Sequence, residues 1–176
     1  MKNIFISLTI ILAMMSCTQK EKTETNHNNN VNSETIKNVE MDKEKAIQVV
    51  KNYFKGLNTT NAESILNLYD DNATFLMSEH EPMIGKGVLK EFYTGFFRTI
   101  KPNMKDSILS VGVSDEFAYV VSTSTGGGKL IATSEEVSGA AAQELFVLKR
   151  TTSGEWKITV YHASSRIPMP SMVPMK

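Results

Sequence analysis

The sequence predicts an α+β domain in which helices come first and antiparallel strands follow. Apolar residues recur at helical spacing up to about residue 100, and they alternate with polar residues after Pro102. The 176 residues also suffice for one domain with its own core after a leader is removed. We therefore expect a single folded unit over residues 42–166.

Three helices are predicted in the first half of the chain. Asp42 can cap the first helix, and Thr60 to Glu63 has the form of a capping box that opens a short second one. The third begins at Gly85-Lys86-Gly87 and ends near Pro102. The apolar residues of the first helix are Ala46, Ile47, Val50, Tyr53, Phe54 and Leu57. Those of the third are Val88, Leu89, Phe92, Tyr93, Phe96, Phe97 and Ile100.

One strand is predicted at residues 73–78, after a turn at Asp70-Asp71-Asn72. Four more follow Pro102, and they cover residues 108–113, 117–125, 140–149 and 156–164. The long loop between the second and third of these contains Gly126-Gly127-Gly128, which we expect to be flexible. No helix follows a strand there, so the glycines do not predict a phosphate site.

Residues 1–16 have the pattern of a signal peptide, with Lys2 ahead of a short apolar run that ends at Ser16. Cys17, the only cysteine, follows immediately, and this resembles the lipobox of bacterial lipoproteins, in which the thiol is acylated. Met14 stands where Leu or a similar residue is usual. The alternative is an ordinary secretory signal cut near Ser16. Acylation of Cys17 predicts a lipid-anchored protein of the bacterial cell envelope. Thr18 stands where some bacteria use an aspartate as a retention signal, and its presence favours the outer membrane.

The flanking segments are predicted to lie outside the fold. Residues 17–41 are expected to be a disordered tether, since residues 18–30 have no apolar side chain to bury, and residues 167–176 form a tail rich in Pro and Met. Lys+Arg and Asp+Glu both number 19, so no broad face would attract nucleic acid.

The order of elements resembles the nuclear transport factor 2-like superfamily, in its SnoaL-like and ketosteroid-isomerase-like subgroup. Three local motifs carry this resemblance: residues 68–75 (LYDDNATF), residues 85–92 (GKGVLKEF) and residues 154–158 (GEWKI). The resemblance implies a cone-shaped domain in which three helices pack on a curved, mainly antiparallel sheet. It does not decide function, because the superfamily contains cyclases, isomerases, dehydratases and members without known activity.

The same resemblance makes steroid-type isomerisation an unfavourable hypothesis. In those isomerases a general-base aspartate lies a few residues after the turn, and the corresponding position here is Met77. A thioether cannot take up a proton. Glu79 could substitute only if the strand register differed.

Two other residues are candidates for proton transfer. His162 shares a predicted strand face with Trp156 and Ile158, and Glu144 alternates with Phe146. If these faces line a cavity, His162 and Glu144 can act as catalytic groups. The alternatives are a histidine packed at the sheet rim and a glutamate on the outer face.

Aromatic side chains are candidates for a ligand-binding wall, although aromatic residues at helical spacing also build ordinary cores. The candidates are Tyr53, Tyr69, Tyr93, Phe96 and Trp156. No cofactor is expected. Glu79-His80-Glu81 is interpreted as a solvated turn, and the methionines of the tail as packing residues, in preference to metal ligands.

Three functional hypotheses follow. The first is a lipid-anchored domain that binds a small, mostly apolar ligand in its cone. The second is a SnoaL-like enzyme of the isomerase, cyclase or hydrolase type that uses proton transfer. The third is a protein-interaction module that forms a homodimer.

Overall fold

The computed structural model describes residues 27–78 and 80–165. The signal peptide, Cys17, Glu79 and the Met-rich tail therefore lie outside the described residues. The helices are α1 (His27–Asn58), α2 (Ala62–Leu66) and α3 (Lys86–Thr99). The strands are β1 (Tyr69–Met77), β2 (Met83–Ile84), β3 (Ile100–Val113), β4 (Phe117–Leu130), β5 (Glu136–Arg150) and β6 (Trp156–Ser165).

The six strands form one sheet in the order β2-β1-β6-β5-β4-β3. Every neighbouring pair is antiparallel except β1 and β6, which are parallel. α1 contacts β3, β4 and β6, and α3 contacts β1, β2 and β3, so both long helices cover the same inner face. This architecture confirms the prediction of three helices packed on a curved, mainly antiparallel sheet.

The beginning of α1 differs from the prediction. The helix starts at His27, so residues 27–41 are not part of a disordered tether. Residues 33–40 are exposed, Ile36 and Val39 among them, so this segment extends a helix whose first buried residue is Ala46. Adding turns to an existing helix is much easier than starting one. Asp42 is consequently not a cap but a residue within the helix.

The starts of the other helices also depend on single residues. Asn61, and not Thr60, caps α2, since its side chain accepts a hydrogen bond from the Ser64 amide at 2.9 Å. Gly85 precedes α3 with a φ of 85°, a conformation that favours glycine. The predicted beginning of the third helix is thus correct, and that of the second is displaced by one residue.

All five predicted strands are longer in the structure, and the predicted glycines Gly126, Gly127 and Gly128 are part of β4. A Cβ atom at Gly128 would lie 2.6 Å from the Lys101 carbonyl oxygen, and at Gly127 it would overlap the Val137 carbonyl. Only glycine permits this close approach of β3, β4 and β5. Pro102 lies within β3, which is possible because β3 is an edge strand.

The core fills one end of the cone. The opposite end is formed by the added parts of the strands, which are residues 100–107 of β3, 126–130 of β4 and 136–139 of β5. Its largest fully buried side chains include Tyr69, Phe146, Leu148 and Ile158. Arg150 closes this end by pairing with Asp42 of α1, with Nη2 2.6 Å from Oδ2. The same guanidinium lies 4.1 Å from the centroid of the Trp156 ring. Sheet and helix are thereby joined by one side chain.

Candidate functional site

A cavity of about 370 Å³ opens between α1, α3 and the inner face of the sheet. Its wall is mostly apolar, and carbon atoms of aromatic rings, methionines and alanines form most of it. The lining residues are Tyr53, Phe54, Leu57, Phe75, Met77, Phe92, Tyr93, Phe96, Ile100, Pro102, Met104, Ser124, Gly127, Val137, Ser138, Ala140, Ala142, Glu144, Tyr161 and Ala163.

Glu144 is the charged group of this wall, and it is only 4% exposed. It lies on β5 directly opposite Ser122 of β4. The Ser122 hydroxyl donates to Oε2 at 2.9 Å, and the Ser124 hydroxyl donates to Oε1 at 2.5 Å. Both serines are buried as well. The carboxylate is therefore held in place by neutral donors, with no cation of the described residues paired to it.

The surroundings of Glu144 oppose its ionisation. Burial raises the pKa of its carboxyl above the usual range, and the charge of Asp106 on β3 adds to this effect. The hydrogen bonds from Ser124 and Ser122 act in the opposite direction, because they stabilise the ionised form. A buried carboxyl with a raised pKa in a cavity is a property typical of functional sites.

Three tyrosine hydroxyls form a hydrogen-bonded chain, and two of these residues, Tyr53 and Tyr93, line the cavity. The Tyr93 hydroxyl donates to that of Tyr53 at 3.2 Å, and it lies 2.8 Å from the hydroxyl of Tyr69. Since each phenol has one proton, Tyr69 is the donor in its contact with Tyr93. The proton of Tyr53 then remains to be donated to another group.

Tyr53 is accordingly the polar end of this chain. Burial raises the pKa of Tyr53 to about 12, against the lowering effect of hydrogen bonds with Tyr93 and Tyr161. The phenol stays protonated at neutral pH. Tyr53 of α1 and Glu144 of β5 thus both belong to the cavity wall.

Only some of the predicted ligand-binding residues lie at the cavity. Tyr53, Tyr93 and Phe96 line it. Tyr69 is buried behind Tyr93 and does not reach the wall, and Trp156 packs under Arg150 at the closed end. Tyr69 and Trp156 therefore do not line this cavity, because helical and strand spacing identifies the buried face but not the position along it.

His162 is also placed differently from the prediction. It is exposed on the outer face of the sheet, opposite the exposed Leu145. The cause is a bulge in β6: Ile158 pairs with Leu148 but Val160 pairs with Val147, so Thr159 is left over. Beyond the bulge, inward positions change parity. His162 therefore cannot act on a molecule in the cavity.

Met77, in contrast, lies in the cavity wall, so the position of the isomerase base carries a thioether. Sequence reasoning missed Ser122, Ser124 and Tyr161. The two serines lie on the same face of β4 as Val120, at every second position. Only the pairing of β4 with β5 shows that they meet Glu144.

Within the described residues, no group of acidic, His or Cys side chains has the arrangement of a metal site. His80 is one of the described residues, and its ring Nδ1 lies 3.0 Å from the Ser78 carbonyl oxygen. Glu79 is not among the described residues. No helix within the described residues is long and apolar enough to cross a bilayer.

Comparison with solved structures finds the same fold in several proteins. A ketosteroid isomerase-like protein from Erwinia carotovora atroseptica SCRI1043 is 26% identical, with a TM-score of 0.67 over 72% of this chain and 98% of its own. A nuclear transport factor 2-like protein with a cystatin-like fold from Novosphingobium aromaticivorans is 12% identical, with a TM-score of 0.62 over 84% of this chain and 94% of its own.

A third, a nuclear transport factor 2-like protein of unknown function from Shewanella oneidensis MR-1, is 14% identical, with a TM-score of 0.56 over 70% of this chain and 98% of its own. No family model matches the chain, and no curated protein matches it by sequence. The strand order, the helix positions and these structures agree. The chain has the nuclear transport factor 2-like fold of these structures.

Proposed function

We propose that this SnoaL-like domain binds a small, mostly apolar molecule in the cavity between α1, α3 and the sheet. The observation that supports this most strongly is an open apolar cavity with one buried carboxylate, Glu144, in its wall. Small-molecule sites have this composition, since apolar walls supply affinity and a few polar groups supply orientation.

The size of the cavity agrees with such a ligand. About 370 Å³ lies within the range of roughly 300–1,000 Å³ that is common for small-molecule pockets. The hydroxyl of Tyr53 and the carboxylate of Glu144 are available to one polar group of the ligand. The ring of Phe92 contacts those of Phe75 and Phe96. Together the three rings form a continuous aromatic surface for the apolar body of the ligand.

The experiment fills the cavity from the sheet. Ala142→Leu adds an apolar side chain to the cavity wall, and Gln143→Leu adds the same side chain at the next, exposed position of β5. Binding of 3-phenylpropanol, followed by calorimetry, should weaken at least about tenfold in Ala142→Leu and stay unchanged in Gln143→Leu. Equal binding by both variants would show that the probe does not occupy this cavity.

We further propose that the domain is held at the bacterial cell envelope, at the outer membrane, by acylation of Cys17. The support is the signal-peptide pattern that ends at this residue. Two or more acyl chains anchor a protein firmly, because each buried methylene contributes about 0.8 kcal/mol. Cys17→Ala should move the protein to the soluble fraction, and its retention on membranes would refute acylation as the anchor.

A second candidate function is an enzyme that moves a proton with Glu144, and the raised pKa of Glu144 beside the Tyr53 donor favours it. Glu144 would take the proton, and Tyr53 would donate to the oxygen on which negative charge develops. Deuterium exchange into an enolisable ketone should then depend on both groups. Exchange at the native rate in Glu144→Gln would exclude this function.

Pairing of two copies stays a prediction of the sequence. Tyr119 and Leu145 are exposed on the outer face of the sheet, at 46% and 37%.

A further inference from the structure

The charge of the cavity wall has one sign. Glu144 is acidic, and Asp106 on the neighbouring part of β3 contributes a second negative charge to its surroundings. None of the described lining residues is Lys, Arg or His. A ligand that carries a carboxylate or phosphate would therefore enter a cavity without a counter-charge, at a high cost in desolvation.

The hydrogen bonds of Glu144 use both of its oxygens as acceptors. Ser122 donates to one oxygen and Ser124 to the other. A carboxylate has about four lone-pair sites, so two neutral donors leave room for a further partner. Serine hydroxyls orient the carboxylate without neutralising it, and buried charges in proteins are normally paired. A cation would supply that pairing.

Aromatic rings surround the same space. The rings of Phe75 and Tyr161 are stacked at 4.6 Å, and those of Phe92 and Phe96 at 6.0 Å. Each of these four residues lines the cavity. The face of an aromatic ring attracts a cation that lies within about 6 Å of its centroid, and the attraction increases when the cation is removed from water.

We infer that the cavity selects a ligand with a protonated amine attached to an apolar body, with the ammonium group bound to Glu144. This inference rests on the proposed binding function and names the chemical class of its ligand. The ammonium group donates to the free lone pairs of the carboxylate, and the aromatic rings hold the body and add cation–π attraction. Tyr53 supplies a donor to any oxygen of the body.

The experiment uses two probes that share a carbon skeleton. 3-Phenylpropylamine carries an ammonium group at neutral pH, and 3-phenylpropanol carries a hydroxyl in its place. Calorimetric titration of the native protein at pH 7 should show the amine binding at least about tenfold more tightly than the alcohol, since hydrogen bonds between charged groups are the stronger ones.

Two variants locate the effect. Glu144→Gln keeps the shape and removes the charge, so affinity for the amine should fall at least about tenfold, and affinity for the alcohol, which loses no ion pair, should fall by less than about threefold. Phe96→Leu keeps an apolar side chain and removes a ring, so both probes should bind more weakly, and the amine should lose about threefold more affinity than the alcohol because it also loses the cation–π attraction. Circular dichroism checks that both variants fold, and Phe96→Leu retains the test if Glu144→Gln does not.

The outcomes separate this inference from the function on which it rests. If the alcohol binds as tightly as the amine, the selection of a cation is overturned and the binding of an apolar molecule stands. If the amine binds equally well to the native protein and to Glu144→Gln, the role of Glu144 is overturned. If neither probe binds, both the inference and the proposed function fail.

Discussion

The inner face of the sheet has two halves that differ in the size of their side chains. In the closed half, β4, β5 and β6 present large buried residues: Val120, Phe146, Leu148, Trp156 and Ile158. In the open half, the same strands present mostly small or polar ones, with Val137 and Tyr161 as the larger exceptions: Ser124, Gly127, Ala140, Ala142, Glu144 and Ala163. The helices cross both halves, so the cavity exists because the open half does not fill the space beneath them.

Two carboxylates show the same contrast. Asp42 at the closed half accepts from the Arg150 guanidinium, and this hydrogen bond holds the pKa of its carboxyl below the usual range. Glu144 at the open half has two serine hydroxyls and no cation, and its pKa is raised. One charge is compensated within the protein and stabilises the fold. The other is left for a partner from outside.

The largest expected difference between the halves is in packing. Phe146→Ala removes a fully buried ring from the junction of the core and should lower the free energy of unfolding by about 3–5 kcal/mol. Phe96→Ala removes the same ring from the wall of an existing cavity and should cost less than about 2 kcal/mol. Urea unfolding measures both, and equal losses would mean that the two halves are packed alike.

A smaller effect is expected at the closing ion pair. Arg150→Ala removes two hydrogen bonds to Asp42, one to the Asp115 carbonyl and the cover of the Trp156 ring, so we expect a loss of about 2 kcal/mol. Arg98→Ala, on exposed helix surface, is the matched control and should change stability by less than about 0.5 kcal/mol. The fluorescence of Trp156, the only tryptophan, follows unfolding. Equal losses in the two variants would show that the contacts of Arg150 do not stabilise the closed end of the domain.

The smallest effect depends on pH and has opposite signs for the two carboxylates. The lowered pKa of Asp42 stabilises the fold above its unfolded value of about 3.9, and this stability is lost as pH falls through the folded pKa. Asp42→Asn should therefore cost about 1 kcal/mol at pH 7 and progressively less as the pH falls below about 4.

For Glu144 the pKa is raised, so its ionisation destabilises the fold as pH rises from its unfolded value of about 4.3 through the folded pKa. The stability of Glu144→Gln relative to the native protein should rise between pH 4 and pH 8. Parallel pH profiles for Asp42→Asn and Glu144→Gln would contradict the distinction between the two charges.

The fold was largely predictable because its signals are local. The change from helical spacing to alternation at Pro102, the glycine before α3 and the three motifs of the superfamily were all present in the sequence. Glu144 was also a correct candidate for an inward position, since it alternates with Phe146 and Leu148.

The errors came from features that depend on pairing between strands. The bulge at Thr159 turns His162 outward, and no local sequence pattern predicts this bulge. The glycines of β4 look like a loop until β3 and β5 are seen to approach them. Likewise, Ser122 and Ser124 become part of the site only through the register that places them against Glu144.

The central claim is that the open half of the sheet is a binding site, and native mass spectrometry of the protein purified from its own host tests it most directly. We predict that the native protein retains a small organic molecule that gentle activation releases, and that Ala142→Leu purified in the same way does not. A native protein whose mass equals that of the polypeptide with its covalent modifications, and which releases nothing, would contradict the account.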